Sequence, residues 1–453
     1  MAFTIVGDSD QLLYRFAGAT PERNLFGIEK VFGGIETHKL TINYRSTEEV
    51  VATTSRLIAE NYEAAGGPYE ERFRKELQAR PGAEQGAKVG FRMLASPEQE
   101  AQAVVETIVE GIAGGYEPGD FFVGARTRAQ LGFLEGPLVR AGLPFVNLTG
   151  GSFWASKHVA DVVAYVQLAY DVKNSAAFKR VFNIGSNWNK YPWGPNEGEY
   201  CSHRYLGDAF LRSCGEQYRY AGNNRRFAAG VNDLVQLVTK LQGVMAEAKD
   251  AGKAVSAVLE FCYIKYLTHE DGLDGDDSGA SNSKLDDLET VVEIASDFEN
   301  VGEFLAYIKD CVRAANAAQD KDYDDFVVIS TVHRLKGQER KVVLGVGIVE
   351  GEDARTGEPR GLLPHTFSLV PPPCFGVLPM GGMNPVEDER CIFFVLVSRA
   401  KERVFLFGTE TYRSSMMRPS RFLYEAGIIR VGEGEGEGWG YEGRGDYEDR
   451  AVA

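Results

Sequence analysis

Four short strings carry residue types that could act on a phosphorylated ligand, and each follows an apolar run. After "FTIVG" come Asp8, Asp10 and Gln11, then Tyr14 and Phe16. A glutamine at a strand end can orient a water or contact a phosphate, and aromatics spaced i, i+2 can stack on bases or pack into a core. After "HKLTI" comes Asn43-Tyr44-Arg45-Ser46. An arginine at a strand-to-helix turn can fork onto phosphate oxygens or form a surface ion pair. "FVVIS" is followed by "TVHRLKGQE", which places Thr331, His333, Lys336, Gly337 and Glu339 close together. Such a string could meet both a nucleic-acid backbone and a nucleotide sugar. Finally, "DERCIFFVLVSRAKERVFLFG" sets Arg399 just past the apolar stretch 392–397, flanked by Ser398 and Lys401. There it could be a transition-state arginine finger or a helix-ending charge that complements the dipole.

In open α/β sheets ligands lie beyond the carboxyl ends of the strands, so the elements carrying these strings decide what they can do. Strands are expected at 3–7, 88–94, 120–125, 326–331, 341–348 and 403–408, all short, rich in Val, Ile and Phe, and apolar on both faces. Between them, residues 97–113 put Ala101, Val104, Val105, Ile108 and Ile112 on one helical face, and Ser46 with Glu49 reads as a capping box for a helix to about Asn61. The alternation predicts a doubly wound α/β domain. From about Phe153 to Ala318 the strand signals give way to helical periodicity, as in Val159, Val162, Val163, Val166 and Tyr170, and again over 284–313. The α/β pattern resumes at Phe326. The expected fold is therefore an α/β domain with a parallel sheet, interrupted by an all-helical insertion.

Composition narrows the possibilities. Hydrophobic content of 44% and charged content of 25% are those of a globular protein. The six cysteines form no C-x-x-C pair and the six histidines no H-x-x-x-H, so neither a disulfide framework nor a zinc site is indicated. No run approaches the ~20 apolar residues of a membrane span, and a cytoplasmic location without membrane contact is expected. The net charge of −16 argues against a general basic field for coating nucleic acid. Much of the acidity is local, in "EDGLDGDD" and the Gly/Glu-rich stretch from Val431, so basic grooves remain compatible with it.

Taken in order, the four strings resemble the later motifs of the UvrD/Rep/PcrA-type superfamily 1 DNA helicases. "VGDSDQLLYRFAGA" resembles the third motif, "LTINYRST" the fourth, "GLPFVNLTGGSFW" the segment opening the helical insertion, "TVHRLKGQE" the fifth and "DERCIFFVLVSRAKER" the sixth. The resemblance covers Phe3 to about Thr409. It implies that Gln11, Arg45 and Arg399 contact the γ-phosphate of ATP, the arginines as fingers. It further implies that Glu339, with Gly337, lies near the nucleotide, that Tyr14 and Phe16 stack on single-stranded bases, and that Arg126, His333 and Lys336 touch the DNA. ATP with Mg²⁺ as cofactors, single-stranded or partly duplex DNA as partner, and 3′ to 5′ translocation follow from the same likeness. By this reading, residues 1–39 are the end of a first RecA-like domain. A second RecA-like domain occupies 40–150 and 319–412 around a helical insertion at 151–318, and 413–453 forms an acidic tail.

Departures accompany the match. Ala17 stands where the family has an arginine, Arg128 where it has an asparagine, and "FWASKHVAD" keeps only Asp161 of the charges of the family's segment. No G-x-x-x-x-G-K-[ST] occurs, and Gly252-Lys253 is followed by Ala254. A site for the β- and γ-phosphates and a carboxylate anchor for Mg²⁺ are thus expected from other sequence, a separate polypeptide carrying Walker A and B being one source. The alternative expectation is a non-hydrolysing module that binds single-stranded DNA or regulates a helicase.

Overall fold

The computed structural model describes residues 4–11, 13, 31–33, 36, 38–64, 74–182, 225–248, 250–263, 278–318, 323–335, 337–369, 385–413 and 415–430. Two compact units divide the chain, one formed by 1–150 with 318–453 and the other by 151–317.

The strands of the first unit are, in chain order, β1 (Ile42–Asn43), β2 (Gln78–Ala79), β3 (Gly90–Leu94), β4 (Phe121–Ala125), β5 (Phe145–Asn147), β6 (Val327–Thr331), β7 (Arg340–Gly345), β8 (Val349–Asp353), β9 (Pro359–Gly361), β10 (Ala400–Thr409), β11 (Thr411–Tyr412) and β12 (Ser415–Pro419). Six of them form an all-parallel sheet in the order β3-β10-β7-β4-β6-β5. Every residue of β4 and β5 is buried, as expected of strands covered on both faces. The covering helices show why. In helix Pro97–Ala113 the Ser96 side chain accepts the Gln99 N–H and Pro97 opens the first turn, while Ala101, Val104, Val105 and Ile108 are buried. Helix Pro385–Val397 is buried on every side from Glu389 to Val397, so it is a core element rather than a surface one. Two of its ionic residues are paired: Arg390 donates from Nε and Nη2 to Glu425 at 2.7 and 2.9 Å, and Glu389 accepts from Arg126.

Three local expectations are corrected. Residues 4–8 are not in a strand, and Ile5 and Val6 are 50% and 83% exposed. A two-sided apolar strand holds only inside a sheet, and none of the described strands pairs with this segment. The capping box at Ser46 does not form. The Ser46 hydroxyl donates to the Ala400 carbonyl at 2.7 Å, and the first N–H groups of helix Glu48–Ala64, those of Glu48 and Glu49, donate to the carbonyls of Glu84 and Gln85, both at 2.9 Å. A passing backbone thus does the work of a side-chain cap. Residues 415–430, placed with the tail by the domain division that the resemblance implies, are folded. β12 joins the antiparallel sheet β11-β12-β8-β9, and Phe422, Leu423, Ala426 and Ile429 enter the core. Arg421 grips Glu350 of β8 through Nε and Nη2 at 2.9 and 2.7 Å. Residues 431–453 lie outside the described part.

The second unit is helical where described, with helices Lys157–Tyr170, Ser175–Phe182, Arg225–Glu247, Ala251–Val258, Ser278–Ser296 and Val301–Ala317. Val159, Val162, Val163 and Val166 are buried, but Tyr170, at the last turn, is 59% exposed. Edge-to-face contacts set Trp154 against Phe304 and Tyr307 at 5.7 Å each. His158 and Asp287 meet at 2.7 Å, and Asp161, itself buried, pairs with Arg180 at 2.7 Å. The one acid retained in "FWASKHVAD" therefore serves the packing of this unit. Among the described residues no helix is long and apolar enough to cross a membrane.

Candidate functional site

Segments far apart in sequence bring Gln11, Arg45, Glu339 and Arg399 together in the first unit. Arg45 lies in the turn after β1, where the Asn43 side-chain oxygen accepts the N–H groups of Arg45 and Ser46 at 2.8 and 3.0 Å. This local turn, with the Thr47 N–H bonded to the Lys401 carbonyl at 3.1 Å, fixes Arg45 against the start of β10. Its Nε donates to Glu339 Oε2 at 2.5 Å and its Nη1 to the Ser398 carbonyl at 3.0 Å. Lys401 Nζ takes the other Glu339 oxygen at 3.2 Å. The hydrogen bond from Arg45, with help from Lys401, holds the Glu339 carboxyl below the usual carboxylate range.

Arg399 closes the cluster from the loop between helix Pro385–Val397 and β10. It does not project into solvent from the helix end but is 3% exposed, donating from Nε to the Val395 carbonyl at 3.1 Å and from Nη2 to Ser398 Oγ at 3.0 Å. The same Nη2 lies 3.4 Å from Gln11 Oε1. Burial, then the neighbouring Arg45, brings the Arg399 guanidinium down to about 10. Among the described residues no carboxylate stands within ion-pair distance of Arg399. A buried cation with only neutral partners is costly, and a ligand anion would relieve it. Gly337, with φ of +93°, has open space where a side chain would stand.

Gln11 ends the short turn Ser9–Gln11, and its Nε2 donates to Asp8 Oδ2 at 2.7 Å. Behind it stand Asp10, which accepts from Tyr62 OH at 2.6 Å, and Lys75, bonded to Asp8 and 3.0 Å from Asp10 Oδ2. Nothing in the local sequence marks Lys75 or Tyr62 as members of this cluster.

A second cluster sits at the carboxyl ends of β4 and β6. Arg126 donates from Nε to Glu389 Oε2 at 2.9 Å and from Nη2 to Oε1 at 2.7 Å. Glu389 also accepts the His365 N–H at 3.0 Å and the Ser368 hydroxyl at 3.3 Å. Burial alone would raise the Glu389 carboxyl, but Arg126 outweighs it and holds it low. His333 follows β6 in the turn Val332–Arg334, and burial, then Arg126, lowers its imidazole to about 4. The Arg126 fork is thus taken up by a buried acid, so any strand reaching it meets an arginine that already has a partner. Tyr14, Phe16 and Lys336 lie outside the described residues. The sequence does not mark Glu389 as a partner of Arg126, because Asp388-Glu389 looks like any acidic start to a helix.

A parallel α/β sheet of six strands with polar side chains gathered beyond its strand ends is consistent with a RecA-like fold, an architecture in which ligands bind at the carboxyl ends of the strands. Residues 38–190 match the family model described as the UvrD-like helicase C-terminal domain. The ATP-dependent DNA helicase UvrD1 of Mycobacterium tuberculosis is 27% identical over 460 residues, covering 93% of this chain and 52% of its own. The ATP-dependent DNA helicase PcrA of Bacillus subtilis is 23% identical over 437 residues (93% and 53%), and PcrA of Staphylococcus epidermidis 22% over 433 residues (93% and 54%). The likeness to UvrD/PcrA-type DNA helicases thus runs along most of the chain, while the chain spans about half the length of the curated relatives it matches.

Proposed function

We propose that this chain is the C-terminal motor portion of an ATP-dependent DNA helicase that tracks single-stranded DNA 3′ to 5′. Gln11, Arg45 and Arg399 contact the γ-phosphate, and Glu339, beside Gly337, lies at the nucleotide sugar. Tyr14 and Phe16 stack on bases, with His333, Arg126 and Lys336 along the strand. The observation that carries the reading is Arg399, a buried guanidinium whose described hydrogen-bond partners are all neutral, beside a second arginine and a glutamine. Such a group fits an anionic ligand, and two arginines with a glutamine fit the spread charge of a phosphoryl group in transfer. ATP would find its γ-phosphate oxygens held here and would supply the leaving group. Among the described residues no three His, Cys, Asp or Glu side chains are placed together to hold a metal. The Walker loop and acid then come from sequence outside these residues or from a second polypeptide.

Titration of the full chain with a fluorescent ATP analogue tests the reading, with Arg399→Ala as the comparison. Saturable binding weakened at least about tenfold by the substitution is expected, as for loss of a charge-assisted contact in a dry site. Equal binding by both proteins would remove Arg399 from the nucleotide. Binding of single-stranded DNA that ignores nucleotide altogether would favour the non-hydrolysing module.

A further inference from the structure

Gln11 is the smallest polar group of the arginine cluster, and its usefulness depends on which end of its amide faces the ligand. An amide has a donor end and an acceptor end of nearly equal shape, so it needs a neighbour that tolerates only one. Asp8 is that neighbour. As a carboxylate it accepts only, and Gln11 Nε2 donates to its Oδ2 at 2.7 Å. The acceptor Oε1 is thereby turned toward Arg399 Nη2, at 3.4 Å, and the second N–H of the amide is left for an anion.

Asp8 does not stand alone. Asp10, 2% exposed, is a second carboxylate, raised by burial and, with Lys75 opposing, by the neighbouring Asp8. Lys75 stands between them, its side chain 15% exposed, bonded to Asp8 Oδ1 and 3.0 Å from Asp10 Oδ2, while Tyr62 OH donates to Asp10 Oδ2 at 2.6 Å. Burial alone would discharge the lysine, but the two acids outweigh it and keep it an ammonium. Lys75 is itself fixed by backbone. It lies just before β2, whose Gln78 N–H donates to the Thr41 carbonyl at 2.8 Å and which pairs with the strand that ends at Asn43, directly before Tyr44 and Arg45. One short ladder therefore carries both the clamp on Gln11 and the turn that presents Arg45.

We propose that Lys75 and Asp8 are positioning residues for Gln11, Lys75 holding Asp8 against the repulsion of Asp10 and Asp8 fixing the amide so that Gln11 offers an N–H to a phosphate oxygen and its carbonyl to Arg399. The inference rests on the nucleotide reading of the cluster. Neither residue touches the ligand, and both act through Gln11.

The test is a double-mutant cycle on the affinity of the full chain for a fluorescent ATP analogue, using Lys75→Met, Asp8→Ala and Gln11→Ala, with Arg399→Ala as reference and Lys75→Arg as the conservative variant. Asp8→Ala leaves the Lys75–Asp10 pair in place, so it keeps the cycle readable should Lys75→Met fail to fold. Gln11→Ala and Asp8→Ala are each expected to weaken binding about fivefold, and the two together no more than either alone, because neighbours acting as a unit are not additive. Lys75→Met should behave as Asp8→Ala does, and Lys75→Arg should recover most of the loss. If Arg399→Ala weakens binding while Asp8→Ala does nothing, or adds its full effect to that of Gln11→Ala, the clamp is structural only and the inference fails with the nucleotide reading intact. If Arg399→Ala leaves binding unchanged, the nucleotide reading fails and the inference with it.

Discussion

Glu100 should make the stability of this chain fall as pH rises through neutrality. It lies in the first turn of helix Pro97–Ala113, is 6% exposed, and accepts the Gly347 N–H at 2.8 Å. Burial pushes its carboxyl from 4.5 up to about 7, the Gly347 bond opposing and Glu98 adding a little. The unfolded chain gives up this proton near its ordinary value while the folded chain keeps it to about 7. The folded state thus binds more protons between the two values, so its stability is full below the lower one and is lost as pH rises through the upper. At about 1.4 kcal/mol per pKa unit, the shift amounts to about 3 kcal/mol lost by pH 8. Glu100→Gln copies the protonated form, keeps an acceptor for Gly347 and cannot ionise. Urea unfolding of both proteins from pH 4.5 to 8 should show no difference at the acid end and a variant more stable by about 3 kcal/mol at the alkaline end, with unchanged m values. Parallel pH profiles for the two proteins would refute the argument, because only an ionisation confined to Glu100 makes them diverge.

Gly347→Ala should cost at least about 1 kcal/mol in the same unfolding assay, since the residue has φ of +68° and the Gln130 amide, 1.7 Å from the new Cβ, would also have to move. Glu389→Gln should destabilise by about 3 kcal/mol, because it breaks one half of a buried, two-pronged pair and leaves the Arg126 charge behind; a change under about 1 kcal/mol would mean that Arg126 relaxes into water. His333, lowered to about 4, should stay neutral down to about pH 5, and a nuclear magnetic resonance titration with a midpoint near the ordinary imidazole value would contradict its burial.

What the sequence reveals and conceals follows from how each feature is encoded. β4 and β6 are legible because strands buried on both faces need unbroken apolar runs, and helix Pro97–Ala113 because its Ser-Pro start and apolar stripe agree. Residues 4–8 carry the same apolar signal without a partner strand among the described residues, and pairing is not written locally. Likewise the start of helix Glu48–Ala64 is capped by the backbone of residues 84–85, which no side-chain pattern can announce. Gln11, Arg45, Glu339 and Arg399 stand out because each is polar and placed just after an apolar element. Lys75 sits in "EERFRKELQAR", where one basic residue looks like the next, and only the fold shows that it meets two acids.

The two arginine clusters differ in what an incoming anion would have to displace. Arg126 is already neutralised by Glu389, and that acid is further held by the His365 N–H and the Ser368 hydroxyl. A phosphate reaching Arg126 would compete with a preorganised carboxylate and leave it buried without its cation, a loss of several kcal/mol by the usual cost of breaking such pairs. Arg399 has no such competitor among the described residues, and Arg45 is shared between Glu339 and the Ser398 carbonyl, with Lys401 ready to keep Glu339 company if Arg45 moves. An anion arriving there removes an existing electrostatic penalty instead of creating one. On the nucleotide reading proposed above, binding energy would be concentrated where Gln11, Arg45 and Arg399 meet, and a nucleic-acid strand passing the ends of β4 and β6 would find contacts that orient it more than charge that grips it.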